Sequence, residues 1–304
     1  MKKLTIPVAL LLAIALLTTT AIFASSGAPI AENLEICTYR GVAVGGCLSA
    51  TDPEGDAVTF QITTEPSKGS IDLDEDGHFV YTPENGKRGK DYFGYRATDS
   101  NGNRSQEATV IIRIEKQKSK VTYADLDGAS CAYAALRLAE EGVFVGECLG
   151  GNYVFSPDAP VSRSEFLAMC LRVTDTDVLQ GVSRTGFADD ASIAAWAKPY
   201  VSTALTNGII SGYSDSPAGA VFAPDQSISV ADAAVMLDRA AEFTDAVAAW
   251  YAPEDALPVW AVQSAANVSA CGLLPYGCHF ADETLTRAQA AELLCGAMDL
   301  LARR

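Results

Sequence analysis

Histidine is almost missing from these 304 residues, with only His78 and His279 present. No C-x-x-C pair occurs either, so a zinc site has little to be built from. Nor does the chain contain G-x-S-x-G, H-E-x-x-H or a cysteine–histidine arrangement. Nothing therefore identifies a hydrolase, and the chain reads as non-catalytic. Positive charge is scarce as well: 22 Lys and Arg stand against 38 Asp and Glu, a net −16. A surface that acidic repels phosphates, which argues against nucleic acid as a partner. Beyond the N-terminus no window approaches the ~20 apolar residues of a spanning helix, so no membrane span is expected in the mature chain.

What is present begins with an export signature. Residues 1–24 read as a signal peptide: Lys2 and Lys3, an apolar stretch over 6–17, and a small-residue site closing at Ala24. Its removal would leave 20 basic against 38 acidic residues, or −18. All eight cysteines lie after it: Cys37, Cys47, Cys131, Cys148, Cys170, Cys271, Cys278 and Cys295. An even number in an exported chain is most simply read as disulfides. Cys37 with Cys47 and Cys271 with Cys278 are the shortest pairings, although spacing alone does not settle connectivity.

Residues 30–115 alternate with period two, as half-buried strands do. Val58, Phe60 and Ile62 form one set; Phe79 and Tyr81, Phe93, Tyr95 and Ala97, and Val110, Ile112 and Ile114 form others. Asp-Gly and Asn-Gly turns separate them, which predicts an all-β, immunoglobulin-like sandwich. The run Ala50-Thr51-Asp52-Pro53-Glu54-Gly55-Asp56, with Tyr81-Thr82-Pro83 and Asp91-Tyr92-Phe93-Gly94-Tyr95, resembles the bacterial cadherin-like and Ig-like repeats of surface adhesins. That resemblance implies a spacer or adhesive module. Some relatives bind calcium through acidic turns, so Asp52, Glu54, Asp56 and Asp99 are possible oxygen ligands. Simple turn formation explains them better, and no cofactor or metal is expected. Residues 116–122 read as a polar linker.

Three self-similar segments follow, at 123–183, 184–246 and 247–304. The first runs from Tyr123-Ala124-Asp125 through Gly142 to Phe155-Ser156-Pro157-Asp158 and Ser162-Arg163-Ser164-Glu165. The second runs from Phe187-Ala188-Asp189 through Trp196-Ala197, Gly208 and Gly212-Tyr213 to Phe222-Ala223-Pro224-Asp225 and Ser229-Val230-Ala231-Asp232. The third passes Tyr251, Trp260-Ala261, Gly272 and Phe280-Ala281-Asp282, then Thr286-Arg287-Ala288-Gln289. Each predicts a helix ended by glycine, an extended stretch, and a second helix opened by a capping box or its acidic variant.

This pattern resembles the S-layer homology domain. The resemblance implies an all-α bundle of three repeats that binds an anionic, pyruvylated-type secondary cell-wall polysaccharide in grooves between repeats. The chain would then be a non-catalytic surface protein of a bacterium, held non-covalently on the wall, with other surface proteins as possible partners. Arg163 and Arg287 sit where a helix start disfavours a cation, so each either grips an external carboxylate or pairs with a nearby acid. Trp196 and Trp260 either stack on sugar or pack in the core. Asp125 and Asp189 either accept sugar hydroxyls or cap a helix. Gly212 and Tyr213 match the family's ligand loop. Val230 and Pro253 break the pattern, so one or two working grooves are expected rather than three. Two further readings stay open: a divergent, disulfide-stabilised interaction module, and an accessory subunit of a larger surface-layer or wall-enzyme complex.

Overall fold

The computed structural model describes residues 27–149, 152–214, 219–248, 257–274 and 284–304. The expected signal peptide, Tyr251, Pro253, Cys278, His279 and Phe280-Ala281-Asp282 lie outside them.

Among the described residues nine strands come first: β1 (Ile30–Ala31), β2 (Leu34–Tyr39), β3 (Val44–Cys47), β4 (Ala50–Thr51), β5 (Val58–Thr64), β6 (Gly69–Leu73), β7 (His78–Pro83), β8 (Gly89–Asp99) and β9 (Ala108–Glu115). They form a four-stranded sheet of order β2-β9-β8-β5, a three-stranded sheet β3-β7-β6 and a short β1-β4 pair. The β2–β9 pairing is parallel and the others are antiparallel. The alternating residues meet between the two larger sheets, where Phe79, Tyr81, Phe93, Tyr95, Val110 and Ile112 are all fully buried. Phe79 and Phe93 close the gap edge to face at 5.2 Å. A buried tyrosine needs a hydrogen-bond partner, and Tyr81 donates to Asp91 at 2.8 Å.

The turn acids are occupied by their own turns. Asp52 accepts from the Glu54 and Asp56 amides, and Asp99 from those of Asn101 and Asn103. Glu54 accepts from Gly27, and Asp56 from the Asn101 side chain. Among the described residues, no three His, Cys, Asp or Glu side chains converge as metal ligands would.

Among the described residues six α-helices follow: α1 (Ala132–Glu140), α2 (Arg163–Val173), α3 (Lys198–Thr206), α4 (Val230–Ala241), α5 (Val262–Ala270) and α6 (Arg287–Leu301). The region is not all-α, because β10 (Glu147–Leu149) and β11 (Asn152–Val154) form a hairpin after α1. Gly142, Gly208 and Gly272 end α1, α3 and α5 at φ 68°, 72° and 64°, the left-handed geometry a C-cap glycine supplies. Ser162, Ser229 and Thr286 cap α2, α4 and α6.

The residue before each of those caps joins a closed ring. The Val161 amide donates to the Leu285 carbonyl, Leu285 to Ile228, and Ile228 to Val161, at 3.2, 3.0 and 2.8 Å. All three side chains are buried, so the ring ties three helix pairs around one core. The pairs also interlock: α3 packs on α2, α5 on α4 and α1 on α6. None of the helices is long and apolar enough to cross a membrane, among the described residues.

The two regions touch. The residues read as a linker are held down, since the Lys118 and Ser119 amides both donate to Glu140 on α1. Tyr39 of β2 donates to the same carboxylate at 2.7 Å and packs on Tyr133 of α1. The Gly45 amide donates to the Ser130 carbonyl, and a Cβ on Gly45 would come within 2.9 Å of the Ser130 side chain.

The disulfide expectation needs correction for the pairing of Cys37 with Cys47. All seven described cysteines are free thiols. Cys37 and Cys47 lie on opposite sheets at positions that alternate with the core residues Ile36 and Val44, so both face away from the space between the sheets, and Cys170 is sealed in the helical core.

Candidate functional site

The helix pairs meet in two grooves of one design. Arg163 is the first residue of α2, yet its guanidinium reaches into the second pair. Its Nε donates to the Phe222 carbonyl at 3.0 Å, and Nη1 lies 3.0 Å from Asp232 Oδ1. The Tyr213 ring lies 4.5 Å from the guanidinium carbon, and the Tyr213 hydroxyl donates to Asp232 at 2.8 Å. Burial pushes that hydroxyl up to about 12, which keeps it a donor. Trp260, half exposed ahead of α5, completes the wall of a 420 Å³ cleft with Gly212, Met236 and Arg239. Three successive helix pairs thus contribute an arginine, a tyrosine and a tryptophan to one opening.

Arg287 repeats the arrangement one step round. Its Nη1 donates to the Phe155 carbonyl at 2.9 Å, and its guanidinium lies over the Phe144 ring. Its acid is Glu147, 3.9 Å away and largely exposed. Arg287, Phe144 and Glu165 share an apolar pocket. Phe144 and Glu165 also line a 210 Å³ groove with Met169, Arg172, Tyr200 and Trp196. Trp196 is 52% exposed and Trp260 51%, so neither is a core residue.

Asp125 and Asp189 do something the sequence pattern did not indicate. Each carboxylate holds its own repeat's extended stretch. Asp125 accepts from the Phe155 and Ser156 amides, and Asp189 from those of Phe222 and Ala223. Ser156 and Ala223 both sit at φ 56°, a left-handed conformation that costs a non-glycine residue ~1–2 kcal/mol. The twist turns the Phe155 and Phe222 carbonyls toward Arg287 and Arg163. The aspartates therefore stand behind the grooves, positioning what the arginines touch. Gly212 likewise shapes rather than binds, because a Cβ there would meet the Phe187 ring at 2.4 Å.

The structure brings Arg163, Gly212, Tyr213 and Trp260 together in one groove, whereas Arg287 and Trp196 line two adjoining cavities that share Phe144, Glu165 and Met169. Sequence reasoning missed Asp232, Arg239, Phe222 and their counterparts. A signal was available for some of them: Met-x-x-Arg recurs as Met169-Cys170-Leu171-Arg172 and Met236-Leu237-Asp238-Arg239. At the third position Val230 stands where Arg163 and Arg287 stand, and its side chain is buried in the shared core.

Comparison with known proteins agrees with this architecture. Residues 27–116 match the bacterial cadherin-like domain, and residues 186–234 match the S-layer homology domain. A surface-layer 125 kDa protein of Lysinibacillus sphaericus is 28% identical over 160 residues, covering 49% of this chain and 13% of its own. A cellulosome-anchoring protein of Acetivibrio thermocellus is 25% identical over 154 residues, covering 47% of this chain and 33% of its own. The chain thus spans a third or less of these relatives. An endo-fucoidan hydrolase of glycoside hydrolase family 107 overlaps 31% of this chain and 14% of its own, at 23% identity and a TM-score of 0.26. So low a score carries no argument about activity. The matched domains define a bacterial surface protein: a cadherin-like domain followed by an S-layer homology domain, extracellular and attached to the cell wall.

Proposed function

We propose that the helical region is a bundle of three S-layer-homology-type repeats that grips an anionic, pyruvylated-type secondary cell-wall polysaccharide. The cadherin-like sandwich is then displayed as a spacer or adhesion module. One observation carries the reading: Arg163, Tyr213 and Trp260 come from three different helix pairs and line a single open cleft. Arg163 is buried against Asp232 and shapes the cleft, the exposed Arg239 guanidinium suits a carboxylate, and a half-exposed tryptophan offers a flat face to a sugar ring. Arg239 adds a second positive charge to the same wall. The two curated relatives are named for a surface layer and for anchoring, which supports attachment as the common task.

The test is co-sedimentation of the signal-free protein with native sacculi and with sacculi stripped of secondary polymer. The protein pellets with the first and stays in solution with the second. Trp260→Ala, at an exposed position, weakens binding by about tenfold, the equivalent of ~1.4 kcal/mol. Equal pelleting with both kinds of sacculi would overturn the polymer reading.

A further inference from the structure

The junction between the sandwich and the helical region contains chemistry that anchoring does not use. Glu292, Cys295, Gly296 and Asp299 recur at spacings of three and four on α6, which puts them on one face of that helix. All four line a 780 Å³ cleft whose opposite wall is β2. Along β2 the side chains alternate, so Glu35, Cys37 and Tyr39 share the face turned away from the sandwich core. Tyr39 proves where that face points, because it bonds Glu140 and packs on Tyr133 at 5.0 Å. Cys37, two residues earlier, and Cys295 line the same cleft from its two walls.

We propose that Cys37 and Cys295 form a disulfide across this junction outside the cell. The bond would fix the sandwich at one angle to the wall-attached region. Exported proteins meet oxidising conditions in which such bonds persist. Each thiol gives up a proton as the S–S bond forms. The two electrons pass to a disulfide-class oxidant, which leaves as two thiols. The Gly45–Ser130 and Tyr39–Glu140 contacts hold the sandwich against the helical region on either side of this cleft, and forming the bond draws β2 and α6 together across it. The acidic surroundings slow the reaction without forbidding it. Burial and the nearby Glu115 and Asp299 raise the Cys37 thiol, and burial raises Cys295, with Cys37 itself among the groups that raise it further. Thiolate is scarce at neutral pH, and bond formation is slow unless catalysed. The inference depends on the extracellular location, not on which polymer the grooves hold.

The experiment uses the full mature chain incubated with glutathione disulfide, denatured, alkylated and digested without reduction. Mass spectrometry is expected to find the Cys37 peptide joined to the Cys295 peptide, the pair separating after dithiothreitol. In Cys37→Ser, a change at a half-buried strand position, Cys295 becomes alkylated and the joined species disappears. Cys47 and Cys271 line the adjoining cleft and supply the obvious competing partners. Recovery of Cys37 alkylated, carrying glutathione, or joined to any cysteine other than Cys295 overturns the proposal.

Discussion

The groove at Arg163 and the groove at Arg287 follow one plan but place the balancing acid differently. Arg163 is 2% exposed and pairs with Asp232 on the neighbouring helix, whereas Arg287 keeps an opening to solvent and faces Glu147 on a hairpin. The cause is one methylene at the third position of the capped helix. Glu165, opening α2, reaches back to its N-cap, accepting from the Ser162 amide at 2.9 Å and hydroxyl at 2.7 Å. Asp232, in the same position on α4, accepts from the Ser229 hydroxyl but does not complete the capping box. Its carboxylate therefore stands out into the groove, within reach of Arg163 and Tyr213. A residue choice that looks like a weaker cap is what supplies the groove with its acid.

The largest expected difference between the two is in folding. Arg163→Ala takes one partner from a half-buried carboxylate that keeps Tyr213 and Ser229, and leaves the buried Phe222 carbonyl unmet, a loss of about 2–3 kcal/mol. Arg287→Ala removes a hydrogen bond to Phe155 and an open ion pair, a loss of about 1.5 kcal/mol. Urea unfolding of the two variants measures both, and equal losses would end the distinction between a buried and an open arginine. The same result decides how wall-binding data are read, because weakened pelleting by Arg163→Ala reports on folding as well as contact. That is why Trp260 is the cleaner probe.

A smaller contrast lies at the residue five positions beyond the C-cap glycine, Tyr213 in one groove and Glu147 in the other. Tyr213→Phe removes a hydrogen bond to a charged, half-buried carboxylate and lowers stability by about 1.5 kcal/mol. Glu147→Ala breaks only a long, exposed pair and changes stability by less than about 0.5 kcal/mol. Thermal melts at one pH suffice, and a Glu147→Ala loss matching that of Tyr213→Phe would show the second groove to be as closed as the first.

Much of this was legible beforehand wherever the signal was local. Strand alternation at Phe79 and Tyr81, the capping residues Ser162, Ser229 and Thr286, and the glycines at 142, 208 and 272 all act within a few residues of themselves. What stayed hidden depends on which repeat meets which. The carbonyls that receive Arg163 and Arg287 belong to Phe222 and Phe155, 59 and 132 residues away. Both are backbone atoms, which leave no mark in a list of residue types. The recurrence of Asp125 and Asp189 points only to a helix cap or a sugar contact, because nothing local announces a left-handed serine or alanine before proline. The parallel β2–β9 pairing was hidden for the same reason, since alternation specifies a face and not a neighbour.

The finest contrast concerns that left-handed residue. Ser156 and Ala223 share the same φ, and both precede proline, where the backbone is already restricted. Glycine at either position relieves the steric cost of the left-handed region but frees the unfolded chain, so the net gain is only about 0.5 kcal/mol. The gain should depend on the aspartate behind it. In the native chain the Asp189 carboxylate binds the Phe222 and Ala223 amides and thereby holds the strained turn in place. Once Ala223→Gly has removed the strain, loss of that carboxylate matters less. Asp189→Ala should therefore destabilise the Ala223→Gly variant by less than it does the native chain, a positive coupling readable in a double-mutant cycle of urea midpoints. Strict additivity would mean that Asp189 merely satisfies two amides. Coupling would mean that it holds the Phe222 carbonyl turned toward Arg163.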